Sequence, residues 1–271
     1  MVSPLEGCLI IHYCYGDMTN TSSTISVITV CYNSGKTLEG ALATVARQSL
    51  KKVEHIIIDG GSTDTTLSII EKYRSKLSIV VSEPDRGIYD AMNKGLSRAT
   101  GDIVCFLNAD DLYAHDDVLR QVTEKMDSVR LDALLGDVAF FKDDNPSLTV
   151  RRYRSQSFRP DRIAYGWMPA HPAMFVRRAV FQRVGFFRDD YRIAGDFEFI
   201  ARAFSKENLR YDYLPEILVR MRAGGISTAG WSSKLLLNRE VLRACRENGI
   251  QTNMFKILSK YPVKLLEMWR R

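Results

Sequence analysis

The chain has 271 residues, of which 45% are hydrophobic and 26% are charged, with a formal net charge of +6. This is the composition of a globular protein, long enough for one large α/β domain that buries its core without disulfide cross-links. The five cysteines include no C-x-x-C pair, which excludes the usual zinc-site spacing and predicts reduced thiols in the cytosol. No apolar run approaches the roughly 18 residues of a transmembrane helix.

Residues 1–23 precede the first predicted strand and contain none of the motifs described below. The apolar segment 8–15 is too short to span a membrane and lacks the basic residues that begin a secretory signal. Met18 is an alternative start. We therefore expect an N-terminal extension outside the domain, and both disorder and a start-site artefact stay open as explanations.

Strands and helices alternate through the first half of the chain. Near-continuous apolar runs rich in β-branched residues indicate strands buried on both faces, and apolar residues at helical spacing lie between them. The predicted strands are 25–33, 53–61, 77–85 and 102–111, and the predicted helices are 36–49, 62–73 with Ser62 as N-cap, 88–99 and one starting at Asp116. This order predicts a Rossmann-like, mostly parallel sheet flanked by helices.

Polar residues follow each of these four strands. In open parallel sheets, ligands bind beyond the carboxyl ends of the strands, so we expect one site along this edge. The polar strand ends are Tyr32 and Asn33, Asp59 to Gly61, Glu83 to Asp85, and Asn108 to Asp111.

The second half of the chain has more aromatic residues and arginines. Residues 151–192 hold ten arginines against three aspartates, which indicates either a solvated basic surface or one that meets phosphate groups. The predicted strands are 133–141, 147–155, 173–181 and 211–222, followed by a mobile glycine loop at 222–228, and the predicted helices are 196–204 and most of 231–271. We expect a catalytic domain at 24–230 and a basic, helical, amphipathic tail at 231–271.

The acidic cluster from Asn108 to Asp111 has two interpretations. Carboxylates this close repel one another and also repel a diphosphate, and a divalent cation between them offsets both effects. Oxygen ligands suit Mg²⁺ or Mn²⁺, which would also stabilise a leaving diphosphate. The alternative is a turn whose aspartate caps the next helix.

Other polar residues allow a structural reading beside a functional one. Asp59 either accepts a hydrogen bond from a base or ribose or belongs to a strand-to-helix turn. Asp90, Asn93 and Lys94 share one helix face, which is either functional or solvated. For Asp196 the structural alternative to a functional role is capping the N-terminus of its helix, and a lone histidine such as His171 is more often structural.

Six segments in order resemble the family 2 glycosyltransferases, which have the GT-A fold. The segments are TVCYN, DGGSTDTT, EPDRGIYDAMNKG, FLNADD, HPAMFVRR and GDFE, and they run from about residue 25 to 228. The likeness is greatest to the bacterial branch that builds capsules, exopolysaccharides and glycolipids. The resemblance implies a donor substrate that is a nucleotide diphosphate-sugar, with UDP favoured over GDP.

The resemblance also implies roles for individual residues. Asp59 contacts the base, Asp110 and Asp111 are the metal candidates for Mn²⁺ or Mg²⁺, and Asp196 is the base that deprotonates the acceptor hydroxyl in an inverting reaction. His171 and Ser227 are candidates for contact with the acceptor or the diphosphate. The residues expected around the donor are Thr29, Tyr32, Asn33, Asp59, Gly87, Asn93, Asn108 and Asp110.

Two positions depart from the family pattern. Asn108 stands where the first acid of the D-x-D signature is expected, and Gly195 stands where relatives often carry an acid before the base. The asparagine at position 108 leaves open an inactive relative that only binds another glycosyltransferase. A sugar-nucleotide nucleotidyltransferase is a further alternative, although CYNSGKT is sparse for its glycine-rich phosphate loop.

The resemblance to this branch implies a saccharide acceptor that is lipid-linked and lies at the inner face of the plasma membrane. Basic residues and Phe255, Leu258, Pro262, Leu265, Leu266 and Trp269 in the tail could contact lipid, and packing on the domain or in a homodimer is the alternative. No nucleic-acid module accompanies the basic charge, so nucleic acid is not an expected partner.

Overall fold

The computed structural model describes residues 23–142, 147–224 and 231–262. The strands are β1 Ile25–Cys31, β2 Val53–Asp59, β3 Ile79–Ser82, β4 Ile103–Phe106, β5 Leu112–Tyr113, β6 Ala133–Phe141, β7 Arg151–Tyr153, β8 Met174–Arg177 and β9 Tyr211–Arg222. The α-helices are α1 Leu38–Ala46, α2 Thr66–Lys72, α3 Ile88–Leu96, α4 Val118–Ser128, α5 Arg178–Val184, α6 Gly195–Lys206, α7 Trp231–Glu247 and α8 Met254–Leu258.

The described strands form one mixed sheet in the order β3-β2-β1-β4-β8-β6-β9-β5, with β7 paired to β6. Strands β1 to β4 are mutually parallel, and β8 runs antiparallel between β4 and β6. The strand order reverses between β1 and β4, which is where doubly wound sheets open a crevice at their carboxyl ends. The predicted Rossmann-like, mostly parallel sheet is confirmed.

Helices cover both faces of the sheet, which is why β1 is buried at every position. On one face, Met92 of α3, Phe197 of α6 and Val241 of α7 pack into a common core. On the other face, Ala41 of α1 and Val122 of α4 pack against the same strands. The apolar runs of the sequence therefore correspond to strands enclosed between two helical layers.

Three predictions about local structure were wrong. The run 173–181 is not one strand but β8 followed by α5, because a continuous apolar run does not distinguish strand from buried helix. Strand β5 was not predicted, since its two residues are too few to show the alternation of apolar and polar residues that marks a strand. Ser62 does not cap α2, whose N-cap residue is Thr65, because the Ser62 hydroxyl is bound to Asp59.

The C-terminal helices pack on the rest of the described fold. Val241, Ala244, Cys245 and Ile257 of α7 and α8 are buried in the same core as α6. Phe255 on α8 is instead 87% exposed. No helix in the described ranges combines the length and the apolar character needed to cross a membrane. The predictions for 1–22, for Ser227 in the glycine loop, and for Leu265, Leu266 and Trp269 lie outside the described residues.

Candidate active site

The loops after β1 and β2 are joined by hydrogen bonds at the carboxyl edge of the sheet. The Asn33 amide nitrogen donates to Ser62 Oγ (2.8 Å), and Asn33 Oδ1 accepts from the Thr63 amide (2.9 Å). Asn33 has a left-handed backbone with φ of 47°, a conformation that asparagine tolerates better than most residues. Next to it the Tyr32 side chain is 62% exposed, so an aromatic face is available at this edge.

Asp59 ends β2 with a fully buried side chain. Its Oδ2 accepts from the Gly61 and Ser62 amides and from Ser82 Oγ (3.2, 3.0 and 2.7 Å), and its Oδ1 accepts from Ser62 Oγ. Burial acts to raise the pKa of Asp59, but the hydrogen bonds from Ser62 and Ser82 outweigh it and lower the pKa. Asp59 is thus an ionised anchor that joins the loop after β2 to the end of β3, and its predicted contact with a base stays a prediction.

Thr29 also lies inside the sheet rather than at its edge. It is fully buried, and its hydroxyl is 3.1 Å from Nε2 of His55 on the neighbouring strand. Burial lowers the pKa of His55 to about 3, so this pair is neutral near pH 7. Any effect of Thr29 on a nucleotide would be indirect, through the position of Tyr32, which directly follows the same strand.

The segment between β3 and α3 brings a second carboxylate to this edge. Asp85 Oδ1 accepts a hydrogen bond from the Gly87 amide (2.8 Å), and Gly87 has φ of 125°, which favours glycine. Asp85 Oδ2 lies beside Gly60, where a Cβ atom would be 2.3 Å away. Sequence reasoning did not assign Asp85 a role. The signal that could have found it was the glycine pair at 60–61, which leaves room for a neighbouring side chain.

The helix face with Asp90, Asn93 and Lys94 is engaged by other parts of the chain. Asp90 pairs with Arg86 (3.0 Å), and Lys94 pairs with Glu83 (3.0 Å). Asn93 hydrogen-bonds the backbone of the loop before α6. These contacts hold the 83–90 segment and that loop in place, and a direct contact between Asn93 and a donor stays a prediction.

The acidic cluster lies in the turn between β4 and β5, so it does not cap a helix. Asp110 is partly exposed, whereas Asp111 is 1% exposed and receives a hydrogen bond from Asn108 Nδ2 (3.2 Å). Burial, followed by the charge of Asp110, raises the pKa of Asp111 well above its usual value. Asn108 Oδ1 is buried and has no hydrogen-bond partner among the described residues.

An unpartnered buried oxygen beside an accessible carboxylate fits a divalent cation. The oxygens of Asn108 and Asp110 are of the hard type that Mg²⁺ and Mn²⁺ take. No three His, Cys, Asp or Glu side chains of the described chain converge into a metal cage. A Mg²⁺-type site needs only one or two carboxylates when substrate phosphates supply the remaining ligands.

Asp196 lies in the first turn of α6, and Ala194 occupies the N-cap position. Its Oδ1 accepts from the Phe197 amide (2.7 Å) and is 3.4 Å from the Tyr89 hydroxyl, which also lies 2.7 Å from the carbonyl oxygen of Ile193. Burial raises the pKa of Asp196, partly opposed by His171. A carboxylate with a raised pKa is a better proton acceptor than a free aspartate.

The Tyr89 ring explains the glycine that precedes Asp196. A Cβ atom on Gly195 would lie 2.7 Å from Cε2 of Tyr89, so a side chain at this position would displace the ring. The space that an acidic side chain would need at position 195 is therefore filled by an aromatic residue from α3.

His171 connects Asp196 to the end of β4. Its ring stacks on Phe106 with centroids 5.6 Å apart and meets Phe187 edge-on. Burial lowers the pKa of His171, so the ring is neutral near pH 7. Phe106 lies two residues before Asn108. His171 therefore lies between Asp196, with which it interacts electrostatically, and the strand that leads into the acidic turn.

Glu240 is a residue that sequence reasoning missed. From α7 it accepts hydrogen bonds from three consecutive backbone amides, those of Arg192 (2.8 Å), Ile193 (2.9 Å) and Ala194 (2.8 Å). These residues directly precede Gly195 and Asp196. No sequence signal marks such a contact, because its partners are main-chain groups.

A cavity of about 540 Å³ lies at the opposite edge of the sheet, among Ser23, Asp102 and Arg177. These residues adjoin the amino ends of the parallel strands, away from the residues above. The chemistry of the carboxyl edge, rather than cavity size, identifies the candidate site.

Comparisons with known proteins identify the family of the chain. Residues 26–185 match the family model for glycosyl transferase family 2. The chain is 32% identical over 213 residues to a PGL/p-HBAD biosynthesis glycosyltransferase of Mycobacterium tuberculosis, a match that covers 74% of this chain and 78% of the relative. It is 33% identical over 132 residues to the putative teichuronic acid biosynthesis glycosyltransferase TuaG of Bacillus subtilis, covering 48% and 52% of the two chains.

Solved structures share the fold. S. aureus TarS 1–349 in complex with UDP-GlcNAc superposes with a TM-score of 0.64 at 23% identity, covering 82% of this chain and 66% of that one. The mannosyltransferase PcManGT from Pyrobaculum calidifontis, in complex with GDP-Man and Mn²⁺, gives 0.61 at 21% identity, covering 89% and 69%. The chain spans 40% of a longer TarS structure. The fold is that of the GT-A glycosyltransferases, and the chain belongs to glycosyl transferase family 2.

Proposed function

We propose that this glycosyltransferase moves a sugar from a nucleotide diphosphate-sugar, UDP in preference to GDP, to a saccharide hydroxyl with inversion at the anomeric carbon. The observation that carries the proposal is Asp196, a partly buried carboxylate with a raised pKa at the start of α6. Its Oδ1 lies 3.4 Å from the hydroxyl of Tyr89 on α3, and it interacts electrostatically with His171, whose ring stacks on Phe106 at the end of β4.

In the proposed reaction, Asp196 accepts the proton of the acceptor hydroxyl. The acceptor oxygen forms a bond to the anomeric carbon while the bond to the diphosphate oxygen breaks on the opposite face. One displacement of this kind inverts the anomeric configuration. The Phe197 amide holds Oδ1 in place, which leaves Oδ2 of Asp196 for the acceptor.

The proposed metal ligands are the Asp110 carboxylate and Asn108 Oδ1, which is buried without a partner in the described chain. When bound, Mn²⁺ or Mg²⁺ supplies positive charge that stabilises the leaving diphosphate. Asp111 is nearly fully buried, so its proposed part is to fix Asn108 through the hydrogen bond from Nδ2. His171 is proposed to face the acceptor or the diphosphate.

The donor and acceptor classes are supported by relatives. TarS is described with UDP-GlcNAc, and the mycobacterial and Bacillus relatives are named for PGL/p-HBAD and teichuronic acid biosynthesis. A lipid-linked saccharide at the inner face of the membrane is the acceptor class that we propose. The highly exposed Phe255 on α8, followed by a basic C-terminal sequence, supports contact with such a surface.

Thermal unfolding with UDP or GDP, each with and without Mn²⁺, tests the donor site. A nucleotide at a hundred times its Kd stabilises the fold by about 2.7 kcal/mol, which raises Tm by roughly 5–10 °C. We expect this rise with UDP and Mn²⁺ together, and its loss in Asp110→Asn. Exposed Asp161→Asn is the control that removes the same charge elsewhere.

The outcome also separates the competing functions. No shift with either nucleotide in the presence of metal would favour a relative that only binds a partner. If nucleotide binds, product from an α-linked UDP-sugar can be analysed by NMR of the anomeric proton. A β-linked product supports inversion, and an α-linked product would contradict it.

A further inference from the structure

The residue expected to read the base has no exposed oxygen with which to do so. Both Asp59 oxygens already receive hydrogen bonds from the chain, and the side chain has no exposed surface. Opening one of these bonds would leave a buried donor unpaired, which is unfavourable. If a carboxylate reads the base at this edge, it must come from another position.

Asp85 has the geometry that Asp59 lacks. The Gly87 amide holds Oδ1, and no hydrogen-bond donor of the described residues reaches Oδ2. That free oxygen lies 2.3 Å from the place of a Cβ atom on Gly60, and the Tyr32 ring lies 3.4 Å from the same place. An exposed aromatic ring, a bare stretch of backbone and an anchored carboxylate oxygen therefore meet at one point.

We propose that Asp85 is the base-reading residue: its Oδ2 accepts the imide N–H of a uracil stacked on Tyr32, and Gly60 is required to leave Asp85 in that position. The inference rests on the proposed function, since it assigns the nucleotide specificity of the same donor site. Base recognition by an aromatic platform together with a hydrogen bond at the base edge is common in proteins that bind unpaired bases.

The single free oxygen favours uracil over guanine. Uracil presents one N–H at its pairing edge between two carbonyl groups, whereas guanine presents two adjacent donors that suit a carboxylate with both oxygens available. Oδ1 of Asp85 is already occupied by Gly87. Cytosine presents an acceptor at the position of the uracil N–H, which a carboxylate repels.

Gly60 is required for space and not for backbone conformation. It is not among the glycines with positive φ, whereas Gly61 is, with φ of 85°. A methyl group at position 60 would meet the flexible end of Asp85 rather than backbone atoms, so Gly60→Ala should fold and displace only the Asp85 carboxylate.

Titration calorimetry with UDP, CDP and GDP in the presence of Mn²⁺ tests the assignment in the full chain. Asp85→Asn keeps the acceptor for Gly87 and replaces the free oxygen by an N–H donor. We expect the Kd for UDP to rise about tenfold to a hundredfold, and the UDP preference over CDP to shrink by at least as much. Gly60→Ala should weaken UDP binding in the same direction.

Glu71→Gln is the matched control, because it removes the same charge from an exposed residue of α2, outside the 83–90 segment. It should leave the Kd for UDP within about twofold. If wild type binds UDP and Asp85→Asn binds it with the same Kd, the assignment of Asp85 is overturned and the proposed function stays intact. Wild-type binding of GDP in preference to UDP would overturn it too, and no nucleotide binding at all would count against the proposed function itself.

Discussion

Asn93 of α3 holds the backbone of Phe187 at both of its polar groups. Asn93 Nδ2 donates to the Phe187 carbonyl oxygen (2.8 Å), and Asn93 Oδ1 accepts from the Phe187 amide (3.0 Å). Phe187 begins the loop that leads to Asp196, and its ring packs on Tyr89 and His171. The helix after β3 therefore sets the position of the loop before the proposed base.

Asn93→Asp should destabilise the fold by about 1–3 kcal/mol, because it removes the donor to the Phe187 carbonyl and places a charge against that oxygen. The free energy of unfolding from urea titration measures the loss. Exposed Asn208→Asp makes the same chemical change without the contact and should stay within about 0.5 kcal/mol of wild type. Equal stability of both variants would show that the pairing contributes little.

Asp196→Asn should lower kcat by about 10²-fold to 10⁴-fold, the usual contribution of a general base. The amide keeps an oxygen that accepts from Phe197, so the fold and the Kd for UDP should be unchanged. Single-turnover transfer and UDP titration measure the two quantities separately. A variant that retains a tenth or more of the wild-type kcat would exclude Asp196 as the base.

The pH profile of kcat reports the state of Asp196. Because burial raises its pKa, the activity should fall on acidification at a pH above the value of about 3.9 for a free aspartate. The direction is fixed by the base: the active form is the carboxylate, which is lost as pH decreases through the raised pKa.

His171→Gln should move this acid limb to higher pH. The His171 ring is neutral near pH 7, but once protonated on acidification its charge lowers the pKa of Asp196, and the variant loses that interaction. The measurement is kcat against pH for both proteins, with unfolding checked at each pH. A limb that stays in place, or moves to lower pH, would contradict the electrostatic coupling between these two residues.

Glu240→Gln should destabilise the fold by about 2–3 kcal/mol and lower kcat. The new amide group places N–H donors against backbone amides that also donate, at either Arg192 or the pair Ile193 and Ala194. Arg239→Gln, at the exposed neighbour on α7, is the control. If Glu240 only stabilised α7, kcat of the folded fraction would equal that of wild type.

Phe255→Ser should reduce cosedimentation with vesicles containing anionic lipid, since the variant has no aromatic side chain to bury at the membrane–water interface. Leu148→Ser is the control, because Leu148 is 62% exposed on a different segment. Equal cosedimentation of wild type and both variants would remove α8 as a membrane contact.

The sequence predicted the parallel half of the sheet well. The apolar runs around Ile28, Ile57 and Val104 are buried on both faces, and this burial is what makes the runs continuous. Alternation of strands with helices then placed four polar strand ends on one edge. These features follow from local pattern, so no tertiary information was needed to infer them.

The roles of individual side chains at that edge could not be inferred in the same way. Asp59 ends one strand and Asp85 follows the next. The sequence does not reveal that Ser62 and Ser82 donate hydrogen bonds to a buried Asp59, whereas Oδ2 of Asp85 receives none from the described residues. Thr29 and Tyr32 are three residues apart in the chain, and the sequence does not reveal that Thr29 is buried beside His55 whereas Tyr32 is exposed at the sheet edge. Such differences arise from three-dimensional packing between segments far apart in the chain.

The contact between Glu240 and the loop before Asp196 has a consequence for evolution. Every residue except proline carries an amide hydrogen, so Arg192, Ile193 and Ala194 can be exchanged widely without losing the three hydrogen bonds. Selection at this point acts on one glutamate and on the path of the main chain. Sequence divergence beyond residue 185, where the family match ends, is therefore compatible with inheritance of the same geometry around the base.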